Sequence, residues 1–212
     1  MQKTAKKIDG KYTAPVSTSR PGWRRRIEVF SPKLHRRLSH SSYLAYRTWL
    51  VIEANPAIEI FCERPAYLGA TGTQLIDFWV KLRGKPLGEF WMIEQQSTNS
   101  LINSEIPPSA HGLPIRKILQ SNLAAWSQAI TNWGRIVPFL VSHSRWRNPV
   151  LEQSLVVYLG VSNTLDKTLM QFADHDLSAV EAALYMLLAS GRINCPDLVS
   201  APVTGATRFV RA

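Results

Sequence analysis

Two carboxylates and a glutamine stand at positions from which phosphodiester hydrolysis can be built. Asp77 lies in the run Leu-Ile-Asp-Phe-Trp-Val, and after a short hairpin comes Glu94-Gln95-Gln96. Successive side chains of a strand point to opposite faces. With Ile76, Phe78, Val80 and Leu82 on one face, Asp77 points to the other; on the next strand Phe90, Met92, Glu94 and Gln96 share a face. If the two strands pair, Asp77, Glu94 and Gln96 meet across the ladder. Oxygen ligands suit a hard octahedral cation, so Asp77 and Glu94 are the candidate ligands for Mg2+ or Mn2+, and a cation held this way activates water against a phosphodiester. A half-buried strand carboxylate is more often an ordinary hydrogen-bonded residue, so its surroundings must decide.

Other chemistries find less support. Cys62 and Cys195 stand far apart with no thiol or histidine at ligand spacing, which excludes a disulfide framework and a zinc ribbon and suits a reducing cytoplasm. His35, His40, His111, His143 and His175 are scattered without a partner at metal-ligand spacing and read as ordinary structural or surface residues. No Ser-His-Asp arrangement, phosphate-cradling glycine loop or nucleotide fingerprint is present. Lys81 and Lys85 read as solvated hairpin charges.

The net charge of +10 is concentrated in one segment. Residues 1–37 hold eleven basic residues against Asp9 and Glu28, and the rest of the chain is nearly balanced. Such an arm suits a phosphate backbone, because each neutralised phosphate releases counterions. Arg24, Arg25, Arg26, Lys33, Arg36 and Arg37 are the candidate DNA-binding residues. A solvated tail or a patch for RNA or acidic lipid is the competing reading of the charge, and charge alone does not separate DNA from RNA. No apolar stretch follows the basic N-terminus as a signal peptide requires. The longest uncharged apolar run, Leu155–Val161, is far short of the ~20 residues of a membrane span, so no membrane partner is expected.

The elements that must position these residues are those of an α/β protein. Residues 1–22 read as a flexible arm. A helix runs from about His40, capped by Ser39 or Ser41, to a stop at Asn55-Pro56. Strands are expected over Ala57–Glu63, Gln74–Leu82 and Glu89–Gln96, then a loop over Asn99–Gly112. Pro114–Trp133 reads as an amphipathic helix with Trp126 and Trp133 in the core, and Arg135–Ser142 as a β-like run. Asn148-Pro149 is the expected boundary, dividing the chain into a basic arm (1–37), a nuclease-like core (38–148) and a small winged-helix-like α domain (149–212). That domain should hold helices over Val150–Gly160, Thr164–Phe172 and Leu177–Ala189, the last capped by Asp176 and stopped by Gly191, with a β-wing over Arg192–Arg211. The third helix has no basic residue, unlike a helix that reads a major groove. The domain therefore suits docking of a partner protein, with Arg192, Arg208 and Arg211 available to backbone phosphates.

Several motifs together resemble TnsA-type endonuclease subunits of heteromeric transposases. These are Phe30-Ser-Pro-Lys33 with Arg36-Arg37, Ser41 to Pro56 ending Ile-Glu-Ala-Asn-Pro, Ile60-Phe-Cys-Glu-Arg-Pro65, Ile76-Asp-Phe, Trp91-Met-Ile-Glu94 and Pro138-Phe-Leu-Val-Ser142. The resemblance implies a restriction-endonuclease-like mixed-sheet core and cleavage at the 5′ side of a transposon end. The implied partners are double-stranded DNA, a TnsB-like recombinase subunit and a TnsC-like ATPase regulator, at the nucleoid in a bacterial cytoplasm. Asp77 matches the family's metal-binding aspartate and Glu94 its second-strand ligand. The family's lysine falls at Gln96, which can orient water but brings no charge, and its helix acid falls near Ala45, which can do neither. Glu53 or Glu63 is left as a stand-in, although Glu53 lies about 80° round an ideal helix from Ala45. A catalytically degenerate subunit bridging DNA and its partners is the main alternative, and a winged-helix DNA-binding regulator the next.

Overall fold

The structure, a computed structural model, describes residues 10–17, 26–69, 74–94, 106–143, 145 and 147–212. Their Cα positions group into two compact units. The first takes the described residues of Met1–Val29, Arg37–Ile52 and Ala57–Ala125; the second takes Phe30–Arg36, Glu53–Pro56 and Trp126–Ala212. Asn148 and Pro149 lie inside the second unit.

Strands β1 (Ile27–Ser31) and β2 (Arg36–His40) form a hairpin ahead of helix α1 (Tyr43–Ala54). Ser42 caps α1, one residue beyond the expected Ser41, with its Oγ accepting the Ala45 N–H at 3.1 Å. At the other end Lys33 donates its ammonium to the Asn55 carbonyl at 2.8 Å, where the helix dipole favours a cation. Residues 10–17 are not the free arm expected of them. A 3-10 turn at Gly10–Tyr12 sets Tyr12, only 2 % exposed, among core side chains, and the Val16 N–H reaches the Arg64 carbonyl.

Strands β3 (Ile58–Glu63), β4 (Tyr67–Leu68), β5 (Gln74–Leu75), β6 (Phe78–Leu82), β7 (Glu89–Ile93), β8 (Ser109–Ala110) and β9 (Leu113–Ile118) follow. Five make a mixed sheet in the order β3-β6-β7-β9-β8; β7 and β9 are parallel and the other neighbours antiparallel. β4 and β5 form a separate two-stranded ribbon. One core layer gathers Tyr12, Cys62, Ile76, Trp79, Phe90, Met92, Ile106 and Leu113.

Two expectations are corrected here. Pro114–Trp133 is not one helix: β9 takes its start, followed by α2 (Gln120–Ala125) and the beginning of α3 (Ser127–His143). Trp126 is 42 % exposed, while Trp133 is buried. Arg135–Ser142 is not a strand but the interior of α3, with Pro138 inside it. The β-branched run hides a helical period, since Ile130, Trp133, Ile136, Val137 and Leu140 are the buried positions.

The second unit continues with α4 (Pro149–Tyr158), β10 (Asn163–Thr164), α5 (Leu165–Gln171), α6 (Leu177–Ala189), β11 (Ile193–Asn194) and β12 (Arg208–Arg211). The three short strands pair in the order β10-β12-β11. Asn148, Thr164 and Asp176 cap the three helices through their side-chain oxygens. Gly191, at φ +73°, ends α6 as the residue type that adopts this backbone freely; the Arg192 and Gly191 N–H groups return to the Leu187 and Leu188 carbonyls. α6 packs on α3 and α4 and buries seven of its thirteen residues.

Two polar residues tie this unit together. Glu152, 4 % exposed, accepts from Arg147 Nε and Nη2 at 3.0 and 3.1 Å and from Arg192 Nη1 at 3.2 Å. Glu152→Ala leaves the Arg147 guanidinium without this acceptor and Arg192 with only the Gln153 side-chain oxygen. It is expected to cost about 2 kcal/mol, read as a lower urea midpoint, since both arginines are partly solvated in exchange. Asn132, 1 % exposed, donates to the Leu198 and Ala201 carbonyls at 2.8 Å each and accepts from the Val203 N–H.

Candidate functional site

The candidate site begins with a break in a strand. Gln74–Leu82 was expected to run unbroken, but β5 ends at Leu75 and β6 starts at Phe78. Between them Asp77 turns its side chain onto the neighbouring strand, where Oδ2 accepts the Ile93 N–H at 2.8 Å. Its own carbonyl accepts the Arg64 N–H at 2.8 Å. Ile76 and Trp79 both belong to the same core layer, so strict alternation fails across the intervening pair.

Asp77 therefore lines a cavity of about 240 Å³ in the first unit. The wall is made by Ser39 and His40 from the end of β2, Ser41 and Ser42 from the link to α1, Ala45 from its first turn, Glu63 at the end of β3 with Arg64 just beyond, and Leu75 and Phe78 on either side of Asp77. Glu63 is buried, opposite Phe78 in the β3–β6 register. Glu94 lies elsewhere. It is exposed just past the end of β7, its N–H bonded to the Ile118 carbonyl, and is not among the lining residues. Alternation along β7 puts it with Phe90 and Met92, on the side of the core layer. Glu53 is engaged by the Ser31 hydroxyl, which donates to its Oε1.

Burial raises the Asp77 carboxyl from 3.8 to about 6, with the Ile93 N–H as the smaller opposing influence. The folded protein therefore keeps a proton between about pH 4 and 6 that the unfolded chain has released, so stability falls as pH rises through that window. Above it, the buried ionised carboxylate carries a penalty on the order of 2–3 kcal/mol. Asp77→Asn keeps an acceptor for Ile93 and removes the charge. In chelator it is expected to be more stable than wild type at pH 7.5 by roughly 2 kcal/mol and equal to it below pH 4, as urea unfolding at the two pH values would show.

The other predicted residues are dispersed. Gln96, Arg24 and Arg25 lie outside the described residues. Arg26 and Arg37 are exposed, while Arg36 and Lys33 are half-buried, Lys33 on the Asn55 carbonyl. His40 and Arg64 were not expected in a site; strand alternation and metal-ligand spacing do not register residues at the joints between elements. Burial also acts first on His40, lowering it to about 4 with help from Arg64, so its imidazole is neutral at physiological pH.

Asp77 and Glu63 share the cavity wall with Ser39, Ser41 and Ser42, and oxygen-bearing side chains are the donor type a hard divalent cation takes. Among the described residues no three His, Cys, Asp or Glu side chains converge as a metal group. No helix among them is long and apolar enough to cross a membrane. No protein-family model matches the chain and no curated protein matches it closely, so the functional reading rests on these residues and their geometry.

Proposed function

We propose that the protein is a TnsA-like, Mg2+- or Mn2+-dependent endonuclease that nicks double-stranded DNA at transposon ends beside a TnsB-like recombinase and a TnsC-like ATPase regulator. One observation carries this reading: Asp77 and Ala45, distant in sequence, line one cavity. These are the positions at which the resemblance places a metal-binding aspartate and a helix carboxylate. The succession of α1, three antiparallel strands and a parallel fourth supports a restriction-endonuclease-like core. The order of helices in the second unit, with β12 central in its small sheet, supports a winged-helix-like fold. There α6 is largely buried, Arg192 is bonded to Glu152 and Arg208 to Asp197, which favours docking of a protein partner over groove reading.

In this reading Asp77 would hold the cation, Glu63 on the same cavity wall would be the nearer second carboxylate in place of the expected Glu94, and Gln96 would orient the attacking water. Bound Mg2+ supplies a lowered water pKa and offsets charge developing on the phosphate. Arg24, Arg25, Arg26, Lys33, Arg36 and Arg37 grip the backbone. The test is nicking of a supercoiled plasmid carrying transposon ends, with cognate recombinase present, in Mg2+ and in Mn2+. Metal-dependent nicking by wild type that is absent from Asp77→Ala is the expected result.

The methyl group of Ala45 on the cavity wall favours a second reading, a degenerate subunit that bridges DNA and its partners. It requires DNA binding with no nicking in either metal while the recombinase remains active.

A further inference from the structure

We propose that the solvent-facing side of α4 is a docking surface for a protein partner, and that it takes a segment whose apolar side is flanked by carboxylates. α4 buries Leu151, Glu152, Leu155 and Val156 and turns Val150, Ser154 and Val157 outwards, at the spacing that puts all three on one side of a helix. Val150 is 76 % and Val157 67 % exposed, and Val161, just beyond the helix, is 74 % exposed. Valine is a poor helix former, so two on the solvent side of one helix are not there to form it. A single exposed apolar residue is ordinary, whereas a row of them with a small serine between is the shape of a contact.

Charge selects the occupant. α4 exposes no acidic side chain, because its one carboxylate, Glu152, is buried. Arg147 reaches Glu152 from just ahead of the helix; Arg192 reaches it too and donates to Gln153 Oε1 at 3.0 Å, next to Ser154. Two guanidiniums share one carboxylate and both stay partly exposed, so net positive charge borders the valines and is held in place. Arg211 is exposed beyond the other end of α4, its N–H bonded to the Leu159 carbonyl. A second copy of this basic chain would bring arginines to the same face. A phosphate backbone would match the arginines but leave the valines in water. An acidic segment with an apolar side matches both. This surface rests on reading the second unit as a module that docks a protein, and its test needs neither transposon ends nor nicking.

The probe is a phage-displayed library of random peptides long enough for several helical turns, selected on the full chain at physiological salt. Selected peptides are expected to carry aspartate or glutamate beside apolar residues at helical spacing. They should bind the double variant Val150→Ser, Val157→Ser about tenfold more weakly than wild type, the factor for the apolar area lost. Arg192→Gln, which leaves Arg147 on Glu152, should weaken the same peptides about threefold. Both valines are exposed, so the serine variant keeps its core; if it does not fold, the wild-type Val157 methyl signals, which a bound peptide must shift, decide alone. The proposal is overturned if no selected peptide distinguishes wild type from the serine variant, or if those that do carry no acidic excess. Duplex DNA or anionic vesicles that shift the Val157 methyl signals where the peptides do not overturn it as well. Failure of wild type to nick while acidic peptides still bind at the valines removes the endonuclease reading and leaves this surface standing. Nicking without such peptides does the reverse.

Discussion

Asp77→Ala is expected to nick transposon-end plasmid about a thousandfold more slowly than wild type while binding the same duplex with little change. The size follows from the several kcal/mol that a positioned cation contributes to a phosphodiester transition state, at about 1.4 kcal/mol per factor of ten. Binding should survive because the excess basic charge lies in residues 1–37 rather than in the cavity. Alanine also strips the Ile93 N–H of its acceptor, so a rate loss in that variant alone mixes chemistry with structure. Asp77→Asn separates the two, keeping an oxygen for Ile93 while giving up most of the metal affinity. Both variants should be slow. An asparagine variant that nicks at the wild-type rate would show that Asp77 serves the sheet and not the reaction. Loss of duplex binding in both would place the carboxylate in DNA recognition.

Asn132→Leu should lower the melting temperature by roughly 6–12 °C. The side chain uses all its hydrogen-bonding capacity: its amide nitrogen serves Leu198 and Ala201, and its oxygen receives the Val203 and Gln128 groups. Leucine fills a similar volume, so the cavity effect is small and the effect is that of orphaned backbone groups. Three such groups at about 1 kcal/mol each give ~3 kcal/mol, and each kcal/mol moves the midpoint ~2–4 °C in a chain of this size. The segment from Leu198 to Val203 contains little regular structure beyond the Pro196–Val199 turn, and Asn132 binds it at three points, beside the turn's own bonds to the Asp197 carbonyl. Calorimetry checks the prediction; an unchanged midpoint would mean that water replaces the amide without cost.

The part of the fold written in short-range chemistry was legible. The last helix starts after Asp176 and stops at Gly191 as expected, because a cap is a matter of four or five consecutive residues, and the two helices before it lie close to their expected spans. β3 was readable from alternation within Ile58–Glu63. β9 was not, since it owes its strand form to parallel pairing with β7 across a long crossover, and nothing local in Leu113–Ile118 announces that partner. In the site, Asp77 stood out by type. Its direction did not, because one side-chain bond to the Ile93 N–H outweighs the alternation that a regular ladder would impose. Glu63 had been left open as a stand-in, and its place on the wall follows from its register opposite Phe78. His40 was passed over because isolation in sequence says nothing about what a β-strand's last residue faces.

The bond from Ile93 to Asp77 gives the protein a reporter. A backbone amide proton held by a carboxylate exchanges with solvent deuterium only when that bond opens, and a carboxylate drawn towards a cation is a poorer acceptor for it. The exchange rate at Ile93 would thus register any cation that Asp77 takes, from the neighbouring strand. A change at the Asp77 carboxylate is thereby read at a single nitrogen, on a residue that does not itself line the cavity.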